Sequence, residues 1–257
     1  MARWNPFPFA GDFAFDASSV RKHWERLHAS DLEPLPKDTA LLEGWALFHN
    51  GEFQKATETG LMLGGAGLTL ANKATCIYAT YLELKEKEKL DLYITAGARA
   101  KAQADAAPTN PNAWHWQAYA LGRYSQGISV AKALAQGLGS KVKDALEKVI
   151  ELNPKHSDAH VALGAFHAEV IDKVGPLIGG MTYGAKKEAG LSLFKQALVL
   201  NPNSPIAMIE YANGLVMLEG DSRMSEATAL YQKAAAMDAF DAMERLEVEL
   251  AREELAD

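Results

Sequence analysis

Cysteine is almost missing from this chain: of 257 residues only Cys76 carries a thiol, so neither an intrachain disulfide nor a cysteine-built zinc site can form. Long apolar runs are missing too. No stretch approaches the roughly 18 uninterrupted apolar residues that a membrane-spanning helix needs. The opening residues, Met-Ala-Arg-Trp-Asn-Pro-Phe-Pro, lack the continuous apolar core of a signal peptide. Basic charge is short, with 26 Lys and Arg against 33 Asp and Glu and a formal net charge of −7. Such a surface repels phosphate backbones. The densest lysine cluster, Lys85 to Lys89, alternates with Glu86 and Glu88, which is the pattern of a solvated helix face. β-Branched residues are sparse outside short stretches. These shortages lead to the expectation of a cytoplasmic protein with no membrane span and no nucleic-acid partner.

What the chain has in quantity is alanine, leucine, glutamate and lysine, the residues that favour helix. An Asn-Pro pair recurs at the end of amphipathic segments, as Asn110-Pro111, Asn153-Pro154 and Asn201-Pro202. Proline lacks an N–H and disfavours α geometry in the residue before it, so each pair ends a helix. Asn112, Ser157 and Ser204 then read as N-caps of the next helix, and Pro205 suits a first turn. Small residues follow at a fixed offset, in Leu121-Gly122, Leu163-Gly164 and Tyr211-Ala212. Second helices read over 142–152, 188–200 and 225–237; in the middle one Leu191, Phe194 and Leu198 make one apolar stripe. An earlier copy appears in Leu42-Glu43-Gly44-Trp45-Ala46-Leu47 followed by Gly51-Glu52-Phe53-Gln54-Lys55-Ala56.

These residues resemble the tetratricopeptide superfamily over roughly 38–238. The prolines at 111, 154 and 202 are spaced more widely than that family's repeat of about 34 residues. The excess falls between paired helices, around 123–140 and 169–187. The long spacing, the Glu-Leu-Asn-Pro ending at 151–154 and the insertion before the second helix are similar to the regulator of microtubule dynamics group. The chain is also similar to the tetratricopeptide lipoproteins that accompany tripartite transporters, through Pro176-Leu177-Ile178-Gly179-Gly180. The resemblance implies an all-α fold, a right-handed α-α superhelix of the solenoid type with long inter-helix insertions. Repeats of this kind bury their apolar faces only by stacking. The organisation expected is one structural domain: an aromatic arm and first helix over 1–36, repeats over 37–240, and a capping helix over 241–257.

Aligned on the small residue of the first helix, the family's groove positions fall on Leu41, Trp45 and Phe48, on Trp116, Tyr119 and Arg123, and on Ile206, Ile209 and Asn213. Aromatics with a cation and an amide suit a peptide; the competing reading is that the same side chains pack between helices. The arm places Trp4, Phe7, Phe9, Phe13 and Phe15 among Pro6, Pro8 and Gly11, too broken for a helix. Exposed, such a cluster is a docking patch; the expectation is that it covers part of the chain's own concave face or a second copy's, giving a homo-oligomer.

His156, His160 and His167 share one helix face, yet no acidic third ligand stands at matching spacing, so ordinary helix histidines are expected and no metal. The glycines at 64–67, 137–139 and 175–184 complete no phosphate-binding fingerprint and read as joints. No nucleophile–base constellation is visible. The expected function is therefore non-catalytic: an interaction or scaffold module that binds a peptide or protein without a cofactor. The alternative is a small-molecule or lipid-like ligand binder acting with a transport system.

Overall fold

The computed structural model describes residues 3–256; Met1 and Ala2 of the arm and Asp257 of the C-terminal segment lie outside the described residues. The described residues form helices and connecting turns, with no strand among them. The fold class is all-α, of the tetratricopeptide-like solenoid kind. The α-helices among the described residues are α1 Ala17–Leu27, α2 Thr39–His49, α3 Phe53–Leu63, α4 Gly67–Tyr81, α5 Glu86–Ala106, α6 Pro111–Gln126, α7 Val130–Ala135, α8 Leu138–Leu152, α9 Ser157–Tyr183, α10 Lys187–Leu200, α11 Pro205–Glu219, α12 Met224–Ala235 and α13 Ala242–Ala256.

Asn110-Pro111 and Ser204-Pro205 start helices through their side chains, whereas Asn153-Pro154 and Asn201-Pro202 follow the ends of α8 and α10. Asn110 accepts from the Asn112 N–H at 3.0 Å with Pro111 in the first turn, and Ser204 accepts from the Ala207 N–H at 3.2 Å ahead of Pro205. Two expected caps move. Asn110, not Asn112, caps α6, because Pro111 already has the fixed φ of a first helical residue. His156, not Ser157, caps α9, its Nδ1 accepting from the Ala159 N–H at 3.1 Å. Ser157 lies one residue inside and donates instead to the Ala197 carbonyl at 3.0 Å.

The described residues fall into two compact units. The first holds α1 to α7 together with 240–243. In it α3 packs on α4 so closely that a Cβ on Gly60 would sit 2.4 Å from the Gly67 carbonyl oxygen. Helix α4 is buried on all sides, from Gly67 to Ala79, which makes it the axis of this unit. The insertion after α6 folds as the short α7. Tyr124, Tyr93 and Leu138 pack there with Leu90, Ile128 and Ala133.

The second unit holds 29–31, α8 from Gly139 on, α9 to α12, and α13 from Glu244 on. Its core is Phe194 of α10, stacked on Tyr211 at 5.5 Å and surrounded by Val161, Ala207, Leu215 and Ala227. One edge of that ring lies against Gly164 and the other against Gly214. The insertion expected as a glycine joint is mostly helix: α9 runs on to Tyr183, bent at Gly175 (φ 81°, ψ 159°) and Pro176. Proline inside a helix removes a hydrogen bond, and glycine supplies the positive φ of the bend. The limb beyond the bend leaves Leu177, Ile178 and Met181 58–82% exposed.

Candidate functional site

The nine expected groove positions divide between the units. In the first unit, Trp45, Phe48 and Trp116 converge on Lys73 of α4. Its ammonium lies 5.8, 5.3 and 5.9 Å from the three ring centroids, within cation–π range. Leu41, Trp45, Phe48 and Trp116 are buried. The cover over Trp45 is the chain's own α1: Trp24 meets its ring edge-on at 5.8 Å, and His28 does so at 4.6 Å while stacking on Trp24 at 4.0 Å. An exposed indole is costly, so an adjacent amphipathic helix with a Trp on its inner face closes over it. The connection out of α1 is fixed to the same place. Trp24 Nε1 donates to the Glu33 carbonyl at 2.7 Å, and Asn112 Nδ2 donates to Glu33 Oε2 at 2.6 Å.

The aromatic arm lies elsewhere than the sequence suggested. Trp4 stacks on Tyr78 at 4.0 Å, and the Asn5 amide side chain donates to the Leu82 carbonyl at 2.8 Å. Phe7 fits under Gly51, where a Cβ would meet its ring at 2.5 Å, and packs edge-on against Phe53. Asn50 and Phe15 exchange two hydrogen bonds of 2.7 and 2.9 Å. The arm therefore lines the α2–α3 turn and the end of α4, while α1 covers the groove position Trp45.

Tyr119 and Arg123 remain half-buried. Thr80 donates its hydroxyl proton to the Cys76 carbonyl at 2.9 Å. The Tyr93 and Tyr119 hydroxyls, at 3.0 and 2.8 Å, must then donate to Thr80 Oγ1. Burial raises the Tyr119 hydroxyl above the usual tyrosine range, while the nearby Arg123 pulls it back. Arg123 lies 5.3 Å over the Tyr119 ring. On α5, Arg99 donates to Asn72 Oδ1, Thr75 Oγ1 and the Ala71 carbonyl, and burial lowers its guanidinium pKa.

Sequence reasoning missed three buried ionisable groups here. Lys73 was detectable only from its host, since it is the one charged residue of α4 and no face of that helix reads as a solvated surface. His49 and Asp241 form a buried pair, Nδ1 to Oδ2 at 2.6 Å, across almost the whole sequence. Nothing local links them.

In the second unit Ile206 is half-buried, and Ile209 is buried with Met208, Ala234 and Ala251 beneath α13. Asn213 Oδ1 accepts from the Tyr231 hydroxyl. The α9 histidines are engaged in holding the helix. His156 caps it, His160 Nδ1 bonds the His156 carbonyl at 3.0 Å, and His167 Nδ1 accepts from the Lys186 N–H at 3.2 Å. Burial, reinforced by the Lys143 charge, lowers the His167 pKa. Among the described residues no group of three or more His, Cys, Asp or Glu is placed to hold a metal ion, and no helix is long and apolar enough to cross a membrane.

Helices paired through small residues and first-helix aromatics gathered on one cation define a helical-repeat protein of the tetratricopeptide superfamily. A crystal structure of a thermophilic TPR protein from Thermus thermophilus shares the fold, with a TM-score of 0.58 and 19% identity over 83% of this chain and 97% of that one. The chain belongs to the family described as regulator of microtubule dynamics protein 1-3, whose sequence profile matches residues 68–255. No curated protein matches it in sequence. The tetratricopeptide-like fold generally mediates protein–protein interaction, and such repeat families are generally non-enzymatic.

Proposed function

We propose that this protein is a non-catalytic interaction module that holds a peptide or protein partner at its first-helix positions, with Tyr119 and Arg123 as the anchors a partner reaches. The supporting observation is the pairing of a half-buried guanidinium over a half-buried tyrosine ring, one helical turn from the buried Trp116. Arginine and tyrosine are the residue types that carry most energy in protein interfaces. A cytoplasmic setting suits a chain whose one thiol is buried and free.

A second reading, a small-molecule binder, draws on a different observation. The indole N–H groups of Trp45 and Trp116 are buried, and among the described residues neither has an acceptor. The experiment for the first reading is affinity capture with the wild-type protein and with Tyr119→Ala plus Arg123→Ala. A partner bound directly by the wild type and lost by the double variant supports it. Identical capture by both sinks the anchor assignment.

A further inference from the structure

We propose that the seat of the aromatic arm also takes the arm of a second copy of this chain, so that two copies exchange residues 3–9 and form a dimer. The seat holds the arm as it would a peptide. Gln54 Oε1 accepts from the Trp4 N–H at 3.0 Å, and the Tyr78 hydroxyl oxygen from the Asn5 N–H at 3.1 Å. The Leu82 carbonyl accepts from the Asn5 side-chain amide at 2.8 Å. The Trp4 ring stacks on Tyr78 at 4.0 Å, and Phe7 fills the pocket under Gly51, edge-on to Phe53. These contacts run from residues 4–7 to residues 51–82, and none of them requires that both sides belong to one chain. An extended segment from another copy makes the same hydrogen bonds, the same stack and the same ring insertion.

What ties the arm to its own seat is the link that folds it back. The chain rejoins the body at Phe15, through the two hydrogen bonds with Asn50. Between Phe9 and Phe15 it reverses in a turn closed by the Asp12 N–H on the Phe9 carbonyl at 3.2 Å. Ala10, Gly11, Asp12 and Ala14 are exposed, and nothing lies within 4 Å of a Cβ added at Gly11. Gly11 has φ 97°, which glycine adopts freely and other residues adopt only under strain. The fold-back therefore hangs on one glycine in an exposed hinge. Straightened, the five residues 10–14 span up to about 17 Å, which sets how closely the two copies lie. Exchange keeps the contacts of both seats, so the hinge and the tether alone separate the two states. A tether this short holds the arm at an effective concentration on the order of 1 mM, so wild-type dimer is expected only near that concentration.

The test strains the hinge and leaves the seat untouched. Gly11→Val disfavours the turn while its side chain meets no neighbour. The strain weighs against the closed form about tenfold per hinge, so the two hinges of a dimer lower its dissociation constant about a hundredfold, to about 10 µM. Sedimentation velocity of the full chain over a concentration series is expected to show wild-type monomer where Gly11→Val is already dimer. Adding Phe7→Ala to Gly11→Val is expected to restore the monomer, because the exchanged arm loses its pocket. A second measurement reads the seat itself: a labelled synthetic peptide of residues 3–15 is titrated into Trp4→Ala plus Phe7→Ala protein and into wild type. Saturable binding to the arm-altered protein, at least about tenfold weaker in wild type whose own arm competes, is expected. Gly11→Val protein that stays monomeric throughout the series overturns the proposal. A dimer that persists undiminished with Phe7→Ala overturns it too, since the copies then meet elsewhere, and so does an arm-altered protein that binds no peptide.

Discussion

Gly214→Ala tests how this fold packs its paired helices. The added methyl would lie 2.4 Å from Cε2 and 2.9 Å from Cζ of Phe194. That ring cannot retreat: its other edge already meets Gly164, where a Cβ would be 3.0 Å from Cε1, and its face is stacked on Tyr211. Overpacking of this sort costs about 1–3 kcal/mol. Alanine returns up to about 1 kcal/mol in helix propensity. The net expectation is a loss of about 1–2 kcal/mol. Gly122 of α6, by contrast, has nothing within 4 Å of an added Cβ, so Gly122→Ala meets only the propensity term and gains about 0.5–1 kcal/mol. Urea unfolding of both variants reads the two signs side by side. Adding Phe194→Leu to Gly214→Ala makes room for the methyl, so the double variant is expected to be more stable than the sum of the singles by at least about 0.5 kcal/mol. A Gly214→Ala protein as stable as wild type, or a destabilised Gly122→Ala, refutes the reasoning.

Removing the first fifteen residues takes away the buried Phe7 and the Trp4–Tyr78 stack, so stability should fall by at least the roughly 1.5–3 kcal/mol that one buried phenylalanine contributes; an unchanged melting temperature contradicts this. The lowered His167 pKa means that the unfolded chain takes up a proton first, so its contribution is intact above the unfolded value near 6.5 and is lost as pH falls through the lowered folded value. His167→Gln should flatten the loss of stability between about pH 7 and pH 5, and an unaltered pH profile counts against it. Burial pushes the Cys76 thiol up to about 12, so a disulfide reagent at about pH 8 should titrate no thiol in the folded protein and one in denaturant; rapid reaction of the native protein contradicts the buried placement.

The helix pairs were legible because their signals are local. The Asn-Pro stops, the Leu163-Gly164 offset and the 188–200 stripe with Phe194 each depend on residues within a few turns, and periodicity carries them. The limb beyond Gly175 reads as a joint in the sequence because glycine and proline mark loops on average. Here they bend a helix once and the chain resumes. The groove positions were identifiable by alignment, but their accessibility was not. Whether Trp45 faces a partner or Trp24 depends on where α1 folds back, and no repeat period encodes that. The same holds for Lys73 and for the His49–Asp241 pair, whose members meet only in the folded chain.

The most direct test of the interaction reading is site-specific photo-crosslinking, with benzoylphenylalanine at exposed Gln126, one turn beyond Arg123, and, as a control, at exposed Met62. A discrete adduct with one partner is expected from position 126 and not from position 62, suppressed by excess wild-type protein but not by excess Tyr119→Ala plus Arg123→Ala protein. Equal labelling at both positions, or competition by the double variant as strong as by wild type, would contradict a partner site at Tyr119 and Arg123.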